Sequence, residues 1–441
     1  MKNLSITVIM RKAFVFPLIL MLAFATCTKK QPTNTALEIK ELRFMWWGSE
    51  ERNNATLQTI ALFEERNPEV KIYGEYSAYD GYFDKLAAQL AGGTAPDIIQ
   101  NEPNRLASQL THLTDLTSKI DFSGYTQDSL KQMEINGRLY GAPLQVAGGG
   151  LAYNKTQLDR YGIEPLAFPF SWEDLGATVK EIYTKSGGKL YGIADQGVWG
   201  PNAQIAPFIA AKKPDLVGQF YPYDNDKLTL VEEDLEFWYQ YWAELRDFGA
   251  LVPPEVTIAG ESAANNVVAK GISAYIIIPA TIFGQLVGQT TDELGLLPLP
   301  VSSQMTGSTM TYGQPTSIYN KSKHLETAVS FLNFLVNDPD AAKLLRATRG
   351  VLPTKVQRDA FATLSSVSNA DRAIIDCLNK YSEYDIRGPV AGLGFKAAGQ
   401  IFNTLQLFDQ VGQEIAFKKL AVDKAPAEFL TRANKMADTF K

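Results

Sequence analysis

Short apolar runs and helix-like periodicities alternate in the part of the chain that follows residue 40. Residues 42–47, which are apolar apart from Arg43, are typical of a strand, and residues 52–66 carry apolar side chains at helical spacing. The same order is repeated within residues 67–98: a strand, a loop, a helix over 82–91 that a glycine pair terminates, and another strand. Strands that alternate with helices in this way predict a parallel sheet with right-handed crossovers.

The later part of the chain carries a second set of strand and helix signals. A strand is predicted over residues 150–153, and Ser171 with Asp174 three positions later forms a helix-capping pattern. Residues 234–247 predict a helix with an aromatic stripe, which at helical spacing indicates core packing. The stripe consists of Phe237, Trp238, Tyr241, Trp242 and Leu245. These signals predict a second α/β unit after residue 144.

The first residues have the pattern of an export signal. Lys2, Arg11 and Lys12 form a basic region, and residues 13–25 form an apolar run. That run is too short to span a bilayer and fits the apolar core of a secretory signal. A start at Met10 would keep an adequate basic region, so the start position stays open between Met1 and Met10. We predict that the chain is exported.

The end of this signal allows two processing routes. Residues 23–25 match an ordinary cleavage site before Thr26, whereas the same residues followed by Cys27 resemble a bacterial lipoprotein box, with departures at two positions. We favour lipidation of Cys27 because a polar tether follows it, so that the signal covers residues 1–26 and the tether residues 27–37. The chain is then expected in the periplasm or on the outer face of the cytoplasmic membrane, held there only by the lipid.

Composition limits the functions to be considered. The 441 residues are 45% apolar and 11% aromatic, which suffices for a sizeable core in two domains. A formal net charge of -6 disfavours nucleic acid, which needs a basic face. Cys27 and Cys377 are the only cysteines, so no disulfide framework is expected. His112 and His324 have no cysteine or carboxylate at metal-ligand spacing, so we expect neither a metal nor another cofactor.

The order and spacing of these elements resemble a known family. Residues 42–98, the Tyr153-Asn154-Lys155 run and residues 312–345 are similar to extracellular solute-binding proteins of ABC importers, the large carbohydrate-binding kind typified by maltose-binding protein. The resemblance implies an α/β, two-lobed periplasmic-binding-protein-like fold (type II), in which each lobe is a mainly parallel sheet flanked by helices and a multi-crossing hinge joins the lobes. It assigns residues 38–145 and 307–350 to the first lobe and residues 146–306 and 351–441 to the second.

The resemblance also implies a function. Members of this family bind a solute between two lobes that close by hinge motion, and the closed form docks on the transmembrane permease of an ABC importer. We therefore expect a monomeric binder of a mono- or oligosaccharide that performs no chemistry. Two alternatives stay open. One is a secreted glycoside-active enzyme, because 48 acidic residues leave room for a catalytic carboxylate pair, and the other is a cell-surface carbohydrate-interaction lipoprotein.

Three loops of the first lobe leave predicted strands at the edge where open parallel sheets bind ligands. Aromatic faces suit the C–H side of a sugar ring, while carboxylates, amides and guanidinium groups suit its hydroxyls. The candidates in these loops are Trp47, Glu50, Arg52, Tyr79, Asn101, Glu102, Asn104 and Arg105. Trp46 and Trp47 point to opposite faces of their strand, so we expect Trp46 in the core and Trp47 open to a ligand. For Glu102, a merely solvated carboxylate is an equal alternative.

The family pattern refines two of these loops. Asn104 and Arg105 align with a sugar-binding Asp-Arg pair, from which Asn104 departs. Ser49 and Glu50 replace an Asp-Lys pair of the maltose binder. The resemblance therefore points away from maltose, while the identity, length and linkage of the sugar stay open.

The remaining candidates lie near the lobe crossings and on the second lobe. They are Gly148, Trp199, Tyr312, Gln314, Arg387 and Phe395. Gly148 belongs to a glycine run that either lets a ligand approach the backbone or serves as a hinge. The others fall in segments where relatives place cleft residues, and Trp199 and Phe395 would supply aromatic faces.

Overall fold

The computed structural model of the chain describes most of its length. The described residues are 38–127, 130, 133–195, 205–214, 223–224, 227–228, 231–259, 266–308, 310–388 and 397–438. Residues 39–441 belong to one structural unit, which contains two larger β-sheets flanked by helices.

Strands and helices alternate along the described residues. The strands are β1 (Lys40–Trp47), β2 (Val70–Ser77), β3 (Ile98–Gln100), β4 (Ala142–Ala147), β5 (Gly149–Asn154), β6 (Tyr191–Ala194), β7 (Tyr223–Asp224), β8 (Lys227–Leu228), β9 (Ser273–Pro279), β10 (Leu294–Leu297) and β11 (Thr311–Ile318). The helices of the first half are α1 (Glu50–Arg66), α2 (Tyr82–Ala91), α3 (Leu106–Gln109), α4 (Lys155–Arg160), α5 (Trp172–Lys185) and α6 (Ile205–Lys212). Those of the second half are α7 (Glu232–Phe248), α8 (Pro254–Ala259), α9 (Phe283–Val287), α10 (Leu325–Asn337), α11 (Pro339–Leu345), α12 (Lys355–Ala362), α13 (Asn369–Glu383), α14 (Ala397–Ala416) and α15 (Ala425–Asp438).

Each larger sheet has one strand that runs against the others. In the first sheet, with the order β2-β1-β3-β11-β4, β1 is parallel to β2 and β3, as its sequence predicts, whereas β11 is antiparallel to β3 and β4. In the second sheet, with the order β10-β5-β9-β6, β5 is antiparallel to both neighbours and β6 is parallel to β9. These antiparallel strands are also the points of entry: the chain enters the second sheet at β5, coming from β4, and returns to the first sheet at β11, coming from β10.

Two connections join the sheets. The chain passes from β4 to β5 at Gly148, and it returns from β10 to β11 through residues 298–310. Tyr381 of α13 links them, because its hydroxyl donates to the carbonyl oxygen of Gly149 at 2.9 Å and accepts from the backbone N–H of Leu299 at 3.1 Å. A single buried side chain therefore holds both connections together.

Alternation along β1 divides its side chains between two cores. Leu42, Phe44 and Trp46 are buried in the largest hydrophobic cluster, while Met45 and Trp47 are buried in a smaller cluster on the other face. This division follows from the two-residue period of a strand, which places successive side chains on opposite faces. The prediction that Trp46 and Trp47 diverge is confirmed.

The predicted start of α5 and most of the predicted aromatic stripe are confirmed. Ser171 and Asp174 form a reciprocal capping box at the start of the helix. In α7, Trp238, Trp242 and Leu245 are buried, but Phe237 is 42% exposed, so the assignment of that residue to the core was wrong. Phe237 lies at the margin of the stripe, where the helix surface turns toward solvent. No helix among the described residues is both long and apolar enough to cross a bilayer.

Candidate functional site

The first sheet brings the ends of four strands to one edge. Strands β1, β2, β3 and β4 run the same way, so their carboxyl ends lie together at the point where Gly148 leads to the second sheet. We call these strand ends and the loops that follow them the carboxyl edge. Open α/β sheets bind ligands at this position because the loops there can vary without disturbing the strands.

Three predicted site residues from two loops meet at the carboxyl edge. The hydroxyl of Tyr79 donates to Oε1 of Glu102 at 2.9 Å, and Nε of Arg105 donates to Oε2 of the same carboxylate at 3.0 Å. The guanidinium of Arg105 also lies over the ring of Phe83, 3.9 Å from its centroid. The hydrogen bond to Glu102 raises the pKa of Tyr79 above its ordinary value. The result is a preorganised group of one carboxylate, one guanidinium and one phenol, with Tyr79 48% exposed.

The indole of Trp47 is covered by neighbouring aromatic rings. It is 9% exposed and makes edge-type contacts with Tyr79 at 5.8 Å and Tyr82 at 5.0 Å, and a tilted contact with Phe83 at 5.4 Å between centroids. The expectation of an indole open to a ligand was therefore wrong. The loop after β2 and helix α2 fold over the β1 end, which the alternation of β1 alone did not reveal.

Tyr76 is an exposed aromatic residue of the carboxyl edge that the candidate list omitted. Its ring is 48% exposed and stacks on the fully buried Trp46, with 5.1 Å between centroids and 28° between planes. The two residues are direct partners in the parallel register of β1 and β2. The register of the two strands would have predicted this contact, because it places Tyr76 beside Trp46 on the same face of the sheet.

Arg52 is fixed at the end of β1 by backbone carbonyls. Its Nε donates to the oxygen of Thr348 at 3.0 Å, and its Nη1 donates to the oxygen of Trp47 at 2.9 Å. The aliphatic stem lies over Gly48, where any side chain would collide with it. Burial lowers the pKa of Arg52, which remains partly exposed and is charged at neutral pH. The predicted guanidinium is thus positioned at the carboxyl edge.

Behind Arg52 lies a network of neutral amides around a second arginine. Gln100 donates to Oε1 of Gln314 at 3.3 Å and accepts from Nε of Arg349 at 2.9 Å. Gln314 donates to Gln145 at 2.6 Å and to the carbonyl of Arg349 at 2.9 Å, with a φ of 50° that is unusual for a residue other than glycine. Sequence reasoning predicted Gln314 and missed Arg349, because the network joins segments distant along the chain.

Two predicted contacts are buried inside the protein. Asn101 is fully buried, and its side chain donates to Gln109 and accepts from the backbone N–H of Glu102. Tyr312 is 2% exposed, and its hydroxyl accepts from the backbone N–H of Thr126 at 2.8 Å. Both predictions of an open contact were wrong for the same reason: side chains near a strand end still pack inward when a neighbouring segment covers them.

Gly148 is required for packing at the connection between the sheets. A Cβ at this position would lie 2.8 Å from Cδ2 of Leu378 and 3.6 Å from the ring of Tyr381. Side chains of α13 thus occupy the space beside this glycine, and its role in ligand contact or as a hinge stays a prediction.

Glu50 and Arg387 are exposed at the ends of elements. Glu50 lies in the first turn of α1, where the helix dipole favours a carboxylate. Arg387 follows α13, and its backbone bonds to Met305 and Gly307 of the second connection. Contact of either side chain with a ligand stays a prediction.

Comparison with known proteins assigns the chain to a family. A model of the bacterial extracellular solute-binding protein family matches residues 47–342. The chain belongs to this family. A related solute-binding protein, the arabinooligosaccharide-binding protein of Bacillus subtilis (strain 168), is 23% identical over 94% of this chain and 97% of its own length.

Solved structures of solute-binding proteins share the fold. A family 1 extracellular solute-binding protein from Alicyclobacillus acidocaldarius aligns with a TM-score of 0.79 at 23% identity, covering 90% of this chain and 98% of that chain. A periplasmic oligogalacturonide-binding protein from Yersinia enterocolitica aligns with a TM-score of 0.74 at 21% identity, covering 91% and 99%. The likeness confirms the predicted α/β fold class with two sheets, and the family model confirms the predicted family.

Three predicted positions of this solute-binding protein lie outside what the structure describes, and a fourth is described in part. Cys27, Trp199 and Phe395 fall in undescribed segments, and only the backbone of Asn104 is described, in a 3₁₀ turn over Pro103–Arg105. Their roles stay predictions. Within the described ranges, no group of three or more His, Cys, Asp or Glu side chains is arranged to hold a metal ion.

Proposed function

We propose that this chain is the extracytoplasmic solute-binding component of an ABC importer and that it binds a sugar or oligosaccharide at the carboxyl edge. The observation that carries the proposal is the Tyr79–Glu102–Arg105 group, in which an exposed aromatic ring, a carboxylate and a guanidinium are held together. A sugar needs an aromatic face for its C–H side and charged groups for its hydroxyls, and both occur here. The names of the relatives agree in kind, since arabinooligosaccharides and oligogalacturonides are both oligosaccharides.

The ligand lies between two lobes in this proposal. The first lobe consists of residues 38–145 and 307–350, and the second of residues 146–306 and 351–441. This division needs three crossings, at Gly148, within residues 298–310 and after residue 350. The two sheets and the first two connections support it, because a hinge needs few chain crossings between packed bodies. The protein acts as a monomer and delivers its ligand to the transmembrane permease.

The chain is exported and held at the membrane surface by a lipid on Cys27. The basic and apolar pattern before this cysteine and the polar residues after it support the assignment. Replacing Cys27 by alanine in the producing cell is expected to shift the protein from the membrane fraction to the soluble exported fraction. An unchanged distribution would show that cleavage before Thr26 is the actual route.

A panel of mono- and oligosaccharides tests the function directly. Thermal denaturation and calorimetric titration of the purified chain are expected to show saturable binding of one ligand per chain, and chromatography is expected to recover that ligand unchanged. Recovery of cleaved saccharide would identify a glycoside-active enzyme instead. If no saccharide of the panel binds, the proposed function is wrong.

A carboxylate variant locates the site. Glu102→Gln keeps the size of the side chain and removes the charge that Arg105 and Tyr79 contact. We expect binding to weaken at least tenfold, about 1.4 kcal/mol. Glu181→Gln is the matched control, because Glu181 is an exposed partner of Lys185 on α5. Equal affinity of both variants would place the ligand elsewhere.

A further inference from the structure

Two arginine side chains at the carboxyl edge carry charges that no acidic side chain neutralises. Arg52 donates to the backbone oxygens of Thr348 and Trp47. Arg349 donates to Oε1 of Gln100 and, through Nη2, to the hydroxyl of Thr56 at 2.9 Å. All four acceptors are uncharged groups. In the part of the chain that the structure describes, neither guanidinium takes part in an ion pair.

Several other arginines among the described residues have acidic partners, although Arg358 and Arg372 also donate only to neutral acceptors. The described residues include ion pairs of Arg43 with Glu75, Arg66 with Asp338 and Asp340, Arg105 with Glu102, Arg246 with Asp195, and Arg432 with Glu414 and Glu428. The contrast matters because a charge that is withdrawn from water costs free energy unless an opposite charge or several hydrogen bonds compensate it.

The two unpaired charges also act on each other. Arg349 is 5% exposed, and burial followed by the positive charge of Arg52 lowers its pKa. Both guanidinium groups remain protonated at neutral pH, since arginine does not lose its proton in proteins. The fold therefore holds two like charges at the carboxyl edge at an electrostatic cost, and an anion placed beside Arg52 would relieve it.

Arg52 is the one of the two that a ligand can reach. It is partly exposed, and its two hydrogen bonds to carbonyls leave three of its five N–H groups for another acceptor. The planar fork of a guanidinium matches the two oxygens of a carboxylate. Arg349 lies behind it and contributes charge without contact.

We propose that the ligand of the carboxyl edge is an acidic saccharide, whose uronic-acid carboxylate binds Arg52. This inference rests on the proposed function, because it names the chemical class of the sugar that the same edge receives. Arg349 and the neutral amide network raise the preference for an anion by leaving the local charge positive.

A matched pair of saccharides tests the inference. The purified chain is titrated with di- and trisaccharides of uronic acids and with the same saccharides after reduction of each carboxyl to a primary alcohol. We expect the acidic forms to bind at least tenfold more tightly and expect this preference to weaken as salt rises. A sugar phosphate forms a third arm, and tighter binding of the phosphate than of the uronides would overturn the carboxylate assignment.

Variants connect the preference to Arg52. Arg52→Gln is expected to remove the preference for the acidic form, while Arg52→Lys, which keeps the charge without the fork, retains part of it. Arg66→Gln is the control, since Arg66 lies at the other end of α1 and pairs with Asp338 and Asp340. If Arg52→Gln does not fold, as judged by thermal denaturation, the comparison rests on Arg52→Lys.

Two failures are distinguishable. Neutral saccharides that bind as tightly as their acidic counterparts would overturn the inference and leave the proposed function intact. Absence of binding by every acidic, neutral and phosphorylated saccharide would overturn both.

Discussion

The ring of Tyr76 lies nearly face to face with the indole of Trp46, with 5.1 Å between centroids and 28° between planes. Trp46 has no exposed surface, whereas Tyr76 is 48% exposed. Because the two residues are register partners on β1 and β2, the buried indole supports the exposed ring from below. The carboxyl edge thus presents a supported aromatic ring on the Trp46 side of the sheet, whereas Tyr79 of the polar group packs against Trp47.

Replacement of Tyr76 by alanine is expected to weaken saccharide binding at least tenfold, about 1.4 kcal/mol, because the stacking face is lost. Tyr76→Phe keeps that face and should bind nearly as well as the wild type. Tyr73→Ala is a suitable control, since Tyr73 is equally exposed on the same strand and bonds to Glu41. Calorimetric titration checks the result, and unchanged affinity of Tyr76→Ala would remove this ring from the site.

Trp47→Ala is expected to act on stability. The indole is 9% exposed and packs against Tyr82 and Phe83, so its removal leaves a cavity that costs about 3–5 kcal/mol of unfolding free energy. Urea denaturation followed by circular dichroism measures this loss. Tyr79→Ala, at an exposed neighbouring ring, should change the unfolding free energy far less. Equal losses for the two variants would contradict the assignment of Trp47 to the core.

Tyr381→Phe should destabilise the connections between the sheets. The hydroxyl donates to the part-buried carbonyl of Gly149 and accepts from the buried N–H of Leu299, and its removal takes this partner from both backbone groups at a cost of about 1–3 kcal/mol. Tyr384→Phe is the matched control, because Tyr384 follows the same helix and is 39% exposed. Equilibrium unfolding of the wild type and the two variants measures the effect. A Tyr381→Phe variant as stable as Tyr384→Phe would show that the hydrogen bonds of the hydroxyl do not contribute to stability.

The ion pair between α14 and α15 should make stability depend on pH. Arg432 donates from both terminal nitrogens to Glu414 at 2.8 and 2.9 Å, and this hydrogen bonding lowers the pKa of Glu414. Since the pKa is lower in the folded state than in the unfolded state, the carboxylate stabilises the fold above its unfolded pKa. This contribution is lost as pH falls through the folded pKa.

We therefore expect wild type to exceed Arg432→Gln in urea midpoint near neutral pH and expect the difference to shrink as the solution is acidified. Lys424→Gln, which removes an exposed cation next to Asp423, serves as the control and should show little difference at any pH. A difference between wild type and Arg432→Gln that stays constant on acidification would contradict the role of Glu414.

The order of elements along the sequence was sufficient to predict which of these side chains lie close together. Tyr79, Glu102 and Arg105 follow strands whose parallel direction is predictable, and the structure joins their side chains directly. The same reasoning failed for Asn101, because a position after a strand end does not say which segment covers it. Tyr312, predicted from the family resemblance, lies at the start of β11 and is covered as well. Tyr76 was predictable from the register of β1 and β2, which places it beside Trp46.

Arg349 could not be found in this way. It bonds to Gln100 and Thr56, which lie 249 and 293 positions away along the chain. No periodicity links residues at such separations. An arginine shortly after the end of a helix is also common in proteins, so Arg349 carries no local signal of its role.

Local patterns were therefore enough for the succession of strands and helices, the α/β class, the capping of α5 and the opposite faces of Trp46 and Trp47, since each depends on neighbours within a few residues. Packing in three dimensions chose which aromatic ring is exposed, which amides are buried, and that Arg52 and Arg349 stand together without an acidic partner. Those outcomes depend on contacts between segments that are distant along the chain. The free energy of such contacts depends on both segments, so no single stretch of sequence predicts it.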